Sequence, residues 1–183
     1  MQVCQEMSRR SLLKEWKGIK RGEFLAIGYR FTSNELATML RHIGVTKYRL
    51  GDIDVEGLTD KAEYSAIDNL CRHKVCIKTS GGYSLDRVIA FIIMSISEAE
   101  SYAIIVDDES AKVMVNNRNM IVYMRQDFKI PSVWHLYPYE TFVDLVMDDH
   151  GKIDPNTDVT VLSSEGEESL KWADYSERMM RDE

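Results

Sequence analysis

Residues 102–124 read YAIIVDDESAKVMVNNRNMIVYM, and this stretch decides the fold. Apolar side chains recur at every second position in three short runs, a period typical of strands with one buried face. The polar connections 107–110 and 116–119 are only four residues long. Because a parallel pair of strands needs a crossover of a dozen or more residues, the stretch predicts an antiparallel β-meander.

The residues after this stretch extend the meander and then become acidic. Val133–Tyr137 is expected to form a fourth strand, and Pro138 is placed to open a helix. Beyond Asp148 apolar residues become sparse, and at most one short strand and a weak helix are expected there. We therefore expect residues 1–149 to form a single α+β domain and residues 150–183 to form an acidic, weakly structured C-terminal tail.

The residues before the meander have the helical period. Residues 58–85 read LTDKAEYSAIDNLCRHKVCIKTSGGYSL, which predicts a helix capped by Thr59 or Asp60, followed by a hairpin that turns at Gly81-Gly82. A helix followed directly by a tight hairpin is the order found in winged-helix proteins. We expect the inner face of this helix to carry Tyr64, Ile67, Leu70 and Cys71.

Further helices are expected on both sides of this helix and hairpin. They cover residues 8–17, 33–42 and 85–98, and a short strand is expected over residues 23–30. The predicted fold class is therefore α+β, with a helical, winged-helix-like N-terminal half followed by an antiparallel β-meander with flanking helices.

Charge is distributed unevenly along the chain, whose net charge is −7. Residues 1–49 carry 10 Lys and Arg against 4 Asp and Glu, whereas residues 50–183 carry 13 against 26. The longest apolar run, 88–94, is far shorter than the roughly 20 residues of a membrane-spanning helix, so no membrane span is expected. The N-terminus lacks a continuous apolar core followed by a small-residue cleavage site, so we expect a cytoplasmic protein.

Residue spacing favours no catalytic or metal chemistry. The four histidines lie on separate predicted elements, without paired metal-ligand spacing. The chain has neither GxSxG nor the glycine-rich phosphate motifs, and its clustered carboxylates lie in predicted turns and in the tail. Cys71 and Cys76 fit neither a CxxC motif nor a zinc site and are expected to be ordinary packing residues. We therefore expect a protein that is not an enzyme and that holds no metal or cofactor.

The winged-helix hypothesis requires basic residues on the exposed face of the recognition helix. The outward positions between Thr59 and Arg72 carry three acids and two bases, and the hairpin adds only Lys74 and Lys78. Nucleic acid is therefore disfavoured as a partner of this face, although the basic segment Arg9–Arg21 can still contact it.

Residues 132–139 place aromatic side chains at a strand-to-helix junction. Such residues are most often part of a core. Otherwise they are good anchors for a protein partner, because they bury large areas with few rotatable bonds. The candidate partner-binding residues are therefore Trp134, Leu136, Tyr137 and Tyr139.

Two capped apolar helices precede the meander. Their segments are FTSNELATMLRHIG at 31–44 and LTDKAEYSAIDNL at 58–70, and a later aromatic strand enters a helix at 134–142. In this order the chain resembles the EspG-type chaperones of type VII secretion, and more closely their uncharacterised relatives in Gram-positive bacteria. The similarity covers Phe24 to Asp149. The resemblance implies a cytosolic, non-enzymatic protein that binds a helical-hairpin secreted substrate and keeps it soluble and targeted.

The leading functional hypothesis is a cytoplasmic, chaperone-like factor for type VII secretion substrates. One alternative is a winged-helix DNA-binding regulator, which residues 58–85 and the basic N-terminal segment indicate. The other is an immunity-type protein that neutralises a toxin, since small acidic α+β proteins suit binding to basic enzyme clefts. The first and third hypotheses both expect a protein partner.

Overall fold

The computed structural model describes residues 28–182 of the chain. The strands in this range are β1 Tyr29–Thr32, β2 Arg49–Leu50, β3 Ile53–Asp54, β4 Cys76–Thr79, β5 Gly82–Leu85, β6 Ser101–Val106, β7 Ser110–Asn117, β8 Met120–Asp127, β9 Val133–Tyr139, β10 Asp158–Ser163 and β11 Gly166–Lys171. The helices are α1 Ser33–His42, α2 Asp60–Arg72, α3 Arg87–Ser97, α4 Phe142–Met147 and α5 Trp172–Asp182, with a 3-10 turn at Asp149–Gly151. No helix within residues 28–182 combines the length and the apolarity needed to cross a membrane.

The chain divides into two compact units. Among the described residues, the first unit comprises 33–94, and the second comprises 28–32 and 95–182. The division falls within α3, so this helix contributes residues to both units.

The first unit contains α1 and α2, and both helices lie where the sequence predicts them. α1 buries Leu36, Met39 and Leu40, which recur at three- and four-residue spacing on one face. α2 is capped by Thr59, whose side-chain oxygen accepts a hydrogen bond from the backbone N–H of Ala62 at 3.3 Å.

Arg41 joins α1 to the beginning of α2 through a single side chain. Its guanidinium donates to the carboxylate of Glu63 at 2.8 Å. It also donates to the carbonyl oxygens of Val55 and Leu58 at 2.6 Å and 2.9 Å. A guanidinium holds several acceptors in one fixed fork, which the single ammonium of a lysine does not offer. The connector between the two helices is therefore tied to α1.

The hairpin of β4 and β5 is confirmed as an antiparallel pair. Gly82 has a φ of +135°, a conformation that L side chains rarely adopt, so the tight turn depends on glycine. The Tyr83 hydroxyl donates to the carbonyl oxygen of Thr38 at 3.2 Å. The Tyr83 ring also stacks on His42 with centroids 4.1 Å apart, so the hairpin packs against α1.

Two expectations for the first unit are wrong. Tyr64, expected on the inner face of α2, is 69% exposed, because the helix buries Ala66 together with the expected Leu70. Cys71 and Cys76, expected to be ordinary packing residues, form a disulfide between the end of α2 and the start of β4. Their sequence spacing matches no redox motif, but the turn between the two elements brings their Cα atoms to 4.6 Å.

The second unit is built on a seven-stranded antiparallel sheet in the order β1-β9-β8-β7-β6-β10-β11. β6 to β9 are consecutive neighbours, and they form the meander that the short polar turns predict. β1 joins the sheet beside β9, while β10 and β11 extend it beyond β6. The sheet is therefore completed on both sides by segments from outside the meander.

One face of this sheet packs against α4 and α5. The buried residues of this core are Ala103, Ile105, Met114, Ile121, Tyr123, Tyr139, Phe142, Leu145, Val159, Val161, Trp172 and Tyr175. The ring of Phe142 lies 5.9 Å from that of Trp172 and 5.7 Å from that of Tyr175. The Asn116 amide donates to the Tyr175 hydroxyl at 3.0 Å, which supplies the buried phenol with a hydrogen-bond partner.

The predicted fold class is wrong. It combines a helical N-terminal half with a meander, whereas the described chain is organised around the seven-stranded sheet. The helix expected over 8–17, and most of the strand expected over 23–30, lie outside the described residues. The sheet is underestimated because β1 and β11 are edge strands without a long apolar alternation, so a local pattern does not reveal them.

The residues after 150 form more regular structure than expected. The expected strand over 159–162 is present within β10, and β11 pairs beside it. α5 follows and buries Trp172 and Tyr175. The division into a domain of 1–149 and a tail of 150–183 stays a prediction.

β11 is the last strand on its side of the sheet among residues 28–182. Five of its six residues are exposed. Two of them are Glu167 and Glu168, and Glu168 accepts from the guanidinium of Arg178 at 2.8 Å. Charged side chains on an edge strand oppose pairing with a further strand.

Replacing Phe142 with alanine is expected to lower the free energy of unfolding by about 3–5 kcal/mol, because a large ring is removed from a packed core and leaves a cavity. Urea unfolding followed by circular dichroism measures this change. Val143→Ala is the matched control, since the adjacent Val143 is 46% exposed. A loss for Phe142→Ala no larger than the loss for the control would contradict the described core.

Candidate functional site

The four candidate partner-binding residues lie on β9, and three of them are buried. Trp134, Leu136 and Tyr139 are 1%, 0% and 2% exposed, whereas Tyr137 is partly exposed. β9 lies between β1 and β8, and its side chains alternate between the two faces of the sheet. Of the four residues, only Tyr137 presents surface to a partner while the sheet stays intact.

Tyr137 belongs to a cluster of three tyrosines around His150. The His150 ring centroid lies 3.9 Å from that of Tyr137 and 5.3 Å from that of Tyr123. The Nδ1 atom of His150 lies 2.9 Å from the Tyr139 hydroxyl and 3.0 Å from Oδ1 of Asp148. These contacts hold the 3-10 turn against the sheet.

Burial sets the protonation of the tyrosine cluster. It raises the pKa of Tyr123 to about 12. Burial also raises the pKa of Tyr139, and the nearby carboxylate of Asp148 raises it further. A tyrosine with a raised pKa keeps its proton at neutral pH, so these hydroxyls act as hydrogen-bonding groups and not as bases.

A row of four basic residues crosses the face of the sheet that also carries the tyrosine cluster. Arg30 on β1 lies opposite His135 on β9, and His135 lies opposite Arg125 on β8. Arg125 in turn lies opposite Lys112 on β7. These four residues, Arg30, His135, Arg125 and Lys112, form the cationic row. Like charges directly opposite each other destabilise a sheet, and in this row the permanently charged pair that lies directly opposite is Arg125 and Lys112.

Two members of the cationic row lack an ionic partner. Arg30 and Arg125 are exposed, and neither side chain makes a hydrogen bond or an ion pair in the part of the chain that the structure describes. Lys112 differs, because it pairs with Asp107 at 3.0 Å. The hydrogen bond from Lys112 lowers the pKa of Asp107 to about 2, with the backbone N–H groups of the turn adding to the effect. The row therefore offers two free guanidinium groups.

His135 lies between these two arginines in the row. Its pKa is lowered by burial, and further by the positive charges of Arg30 and Arg125. Asp127 acts in the opposite direction. A neutral imidazole in this position separates the two arginines, and a bound anion would favour its protonation.

The turns at one end of the same sheet expose large apolar side chains. Val106 is 66% exposed at the end of β6, and Phe128 and Ile130 in the β8–β9 turn are 44% and 45% exposed. The backbone N–H of Phe128 donates to the carbonyl oxygen of Glu109 at 2.9 Å, which joins the β8–β9 turn to the β6–β7 turn. The three residues Val106, Phe128 and Ile130 form the sheet-end patch.

Neither surface is predicted from the sequence. The members of the cationic row are separated by up to 105 positions, and only the strand register shows that they are neighbours. The sheet-end patch has one local signal. Residues 127–131 read DFKIP, which places two apolar side chains among turn-forming residues.

No known protein family and no curated protein matches this chain. Within residues 28–182, no group of three or more His, Cys, Asp or Glu side chains is arranged to hold a metal ion.

Replacing Arg125 with glutamine is expected to raise the pKa of His135, because one of the two cations that oppose its protonation is removed. NMR titration of the imidazole resonances measures the pKa. His135 binds a proton more readily in the unfolded chain, so its contribution to stability is lost as pH falls through the ordinary value of 6.5. The Arg125→Gln variant should therefore lose less stability than the wild type as the pH falls below this value.

Arg118→Gln is the matched control for this measurement. It removes the same charge from an exposed arginine that pairs with Glu100, and it should leave the pKa of His135 unchanged. If the pKa of His135 were the same in the Arg125→Gln variant and in the wild type, the proposed coupling along the row would be wrong.

Replacing Tyr139 with phenylalanine is expected to lower the free energy of unfolding by about 1 kcal/mol, because the partly buried hydrogen bond between its hydroxyl and His150 is lost. Tyr137→Phe is the control, since within residues 28–182 the Tyr137 hydroxyl makes no hydrogen bond. The Tyr137→Phe substitution should change the free energy of unfolding by no more than about 0.5 kcal/mol. Urea unfolding compares the two variants, and equal losses would argue against a role for the Tyr139 hydroxyl.

Proposed function

We propose that this chain is a non-enzymatic, cytosolic protein-binding protein that acts as a chaperone-like factor for type VII secretion substrates. The sequence segments 31–44 and 58–70 supply the resemblance to the secretion chaperones. The observation that carries protein binding is the sheet-end patch. Because the cytosol keeps thiols reduced, the cytosolic location proposed here implies that Cys71 and Cys76 are two thiols in the cell, in place of the disulfide.

The sheet-end patch suits a protein partner because it is apolar, exposed and already ordered. Full burial of a Val, Ile or Phe side chain contributes about 1.5–3 kcal/mol, so three partly exposed side chains offer roughly 2–4 kcal/mol together. The backbone hydrogen bonds of Ile130 to Asp127, at 3.0 Å, and of Phe128 to Glu109 fix the turn before any partner arrives. Binding therefore loses little backbone entropy at this surface.

The helical-hairpin nature of the partner comes from the sequence resemblance. A helix with an apolar stripe presents side chains at three- and four-residue spacing. Such a stripe is able to cover Phe128 and Ile130 together, because the two side chains lie two positions apart in one turn.

The winged-helix alternative has less support. Lys78 on the hairpin pairs with Asp68 on α2 at 2.5 Å, so an acid on the helix neutralises one of the few hairpin cations. The immunity alternative expects a basic partner. The free guanidinium groups of Arg30 and Arg125 favour an acidic partner instead.

Replacing both Phe128 and Ile130 with serine is expected to lower capture of a helical-hairpin secreted substrate about tenfold or more, because most of the patch is removed. The tagged full-length chain is co-expressed with each such substrate of its native host, and the captured substrate is quantified. The double variant should keep a thermal midpoint close to that of the wild type, since both side chains lie outside the buried core.

Met147→Ser is the matched control, because Met147 is 80% exposed on α4 and lies outside the patch. It should capture as much substrate as the wild type. Recovery of DNA or a metabolic complex with the wild type, and of no helical secreted protein, would overturn the proposed function.

A further inference from the structure

We propose that the cationic row is a recognition site for an acidic helical segment of a protein partner. The proposal deepens the proposed function and rests on it only for the helical form of the partner. Its basis is the register of four strands, which places Arg30, His135, Arg125 and Lys112 side by side on one face of the sheet.

The cationic row carries positive charge that the described residues only partly balance. Arg125 lies directly opposite Lys112, and Arg30 lies on the same face two strands away, across the neutral imidazole of His135. Positive charges so close together repel each other unless negative charge is supplied. Asp107 supplies it to Lys112 at 3.0 Å. Within residues 28–182 no carboxylate pairs with Arg30 or Arg125. A partner that brings carboxylates to these two arginines would relieve the repulsion.

The spacing of the two arginines matches the surface of a helix. Arg30 and Arg125 are two strands apart, which corresponds to about 10 Å between their backbones. Two turns of an α-helix rise about 10.5 Å over seven residues. Carboxylates seven residues apart on one helix face therefore meet the two guanidinium groups, and each pair is able to form the bidentate contact of arginine with carboxylate.

Charge near the row favours an acidic protein segment over a nucleic acid. Asp127 lies two positions beyond Arg125 on the same strand, and Asp107 remains paired with Lys112. A continuous line of phosphates would meet these acids as well as the bases, and the whole chain carries a net charge of −7. A helix, unlike a nucleic acid, is able to carry carboxylates opposite the cations and no negative charge opposite Asp127 and Asp107.

The sheet-end patch lies in the turns at the end of the sheet toward which β8 runs from Arg125. Phe128 follows Asp127 directly, so apolar contact area begins three positions after Arg125. An amphipathic helix that sets its acidic positions on the row would have apolar positions in reach of Phe128. Apolar contact would then supply most of the affinity, and the ion pairs would set the orientation of the helix.

The test measures binding of a synthetic helical peptide to the full-length chain by fluorescence anisotropy. The peptide carries glutamates seven residues apart beside an apolar stripe, and a second peptide has glutamines in their place. The expected result is that Arg30→Gln with Arg125→Gln raises the Kd for the glutamate peptide about tenfold or more. Binding to the wild type should raise the pKa of His135, measured by NMR, since the bound carboxylates oppose Arg30 and Arg125.

The matched control is Arg118→Gln with Arg178→Gln, which removes the same charge from two exposed arginines of the second unit. It should bind the glutamate peptide as the wild type does. The Arg30→Gln and Arg125→Gln variant should melt no lower than the wild type, because it removes repulsion inside the sheet. Its loss of binding is then separate from a loss of folding.

Three results would overturn the proposal. The first is no binding of the glutamate peptide to the wild type, or equal binding of both peptides. The second is unchanged binding in the row variant. The third is displacement of the peptide by inorganic phosphate or by a DNA duplex at the same or a lower concentration, which would make the row a general anion site. Failure to capture a secretion substrate would overturn the proposed function alone, because the peptide measurement does not depend on that substrate.

Discussion

The antiparallel register of β9 is the constraint on which the second unit depends. It places Tyr137 opposite Tyr123, on the face that α4 and α5 cover, and places Trp134 and Leu136 on the other face. Because strand side chains alternate, a slip of one residue would exchange these two sets. His135 would then leave its neighbours in the row, and the tyrosine cluster would lose the rings of Tyr137 and Tyr139. The core, the cluster and the cationic row are therefore consequences of one pairing.

The sequence predicts the meander because its signals are local: an apolar period of two and turns of four residues. β1 pairs with a strand far along the chain, and β11 consists mainly of polar residues, so local pattern finds neither. The aromatic residues of β9 are correctly identified as apolar, but the pattern does not tell a partner's surface from the protein's own core. The cationic row depends on long-range register, which the local pattern of one sequence does not specify.

The two surfaces differ in what they contribute to recognition. The sheet-end patch removes apolar area from water, a contribution that does not depend on direction. The arginines of the cationic row attract a partner over a longer range and favour one orientation of it. In the free protein the same charges repel each other. Salt would weaken the second contribution far more than the first, since exposed charges are screened beyond about 8 Å at physiological ionic strength.

The glutamates on β11 bear on how copies of this chain meet one another. Two copies that pair along this edge would bring their β11 glutamates to the separation of neighbouring strands, about 4.8 Å. That distance lies well inside the range of unscreened repulsion at physiological salt. Pairing of two copies through their β11 strands is therefore disfavoured, and a partner protein meets the faces of the sheet instead of this edge.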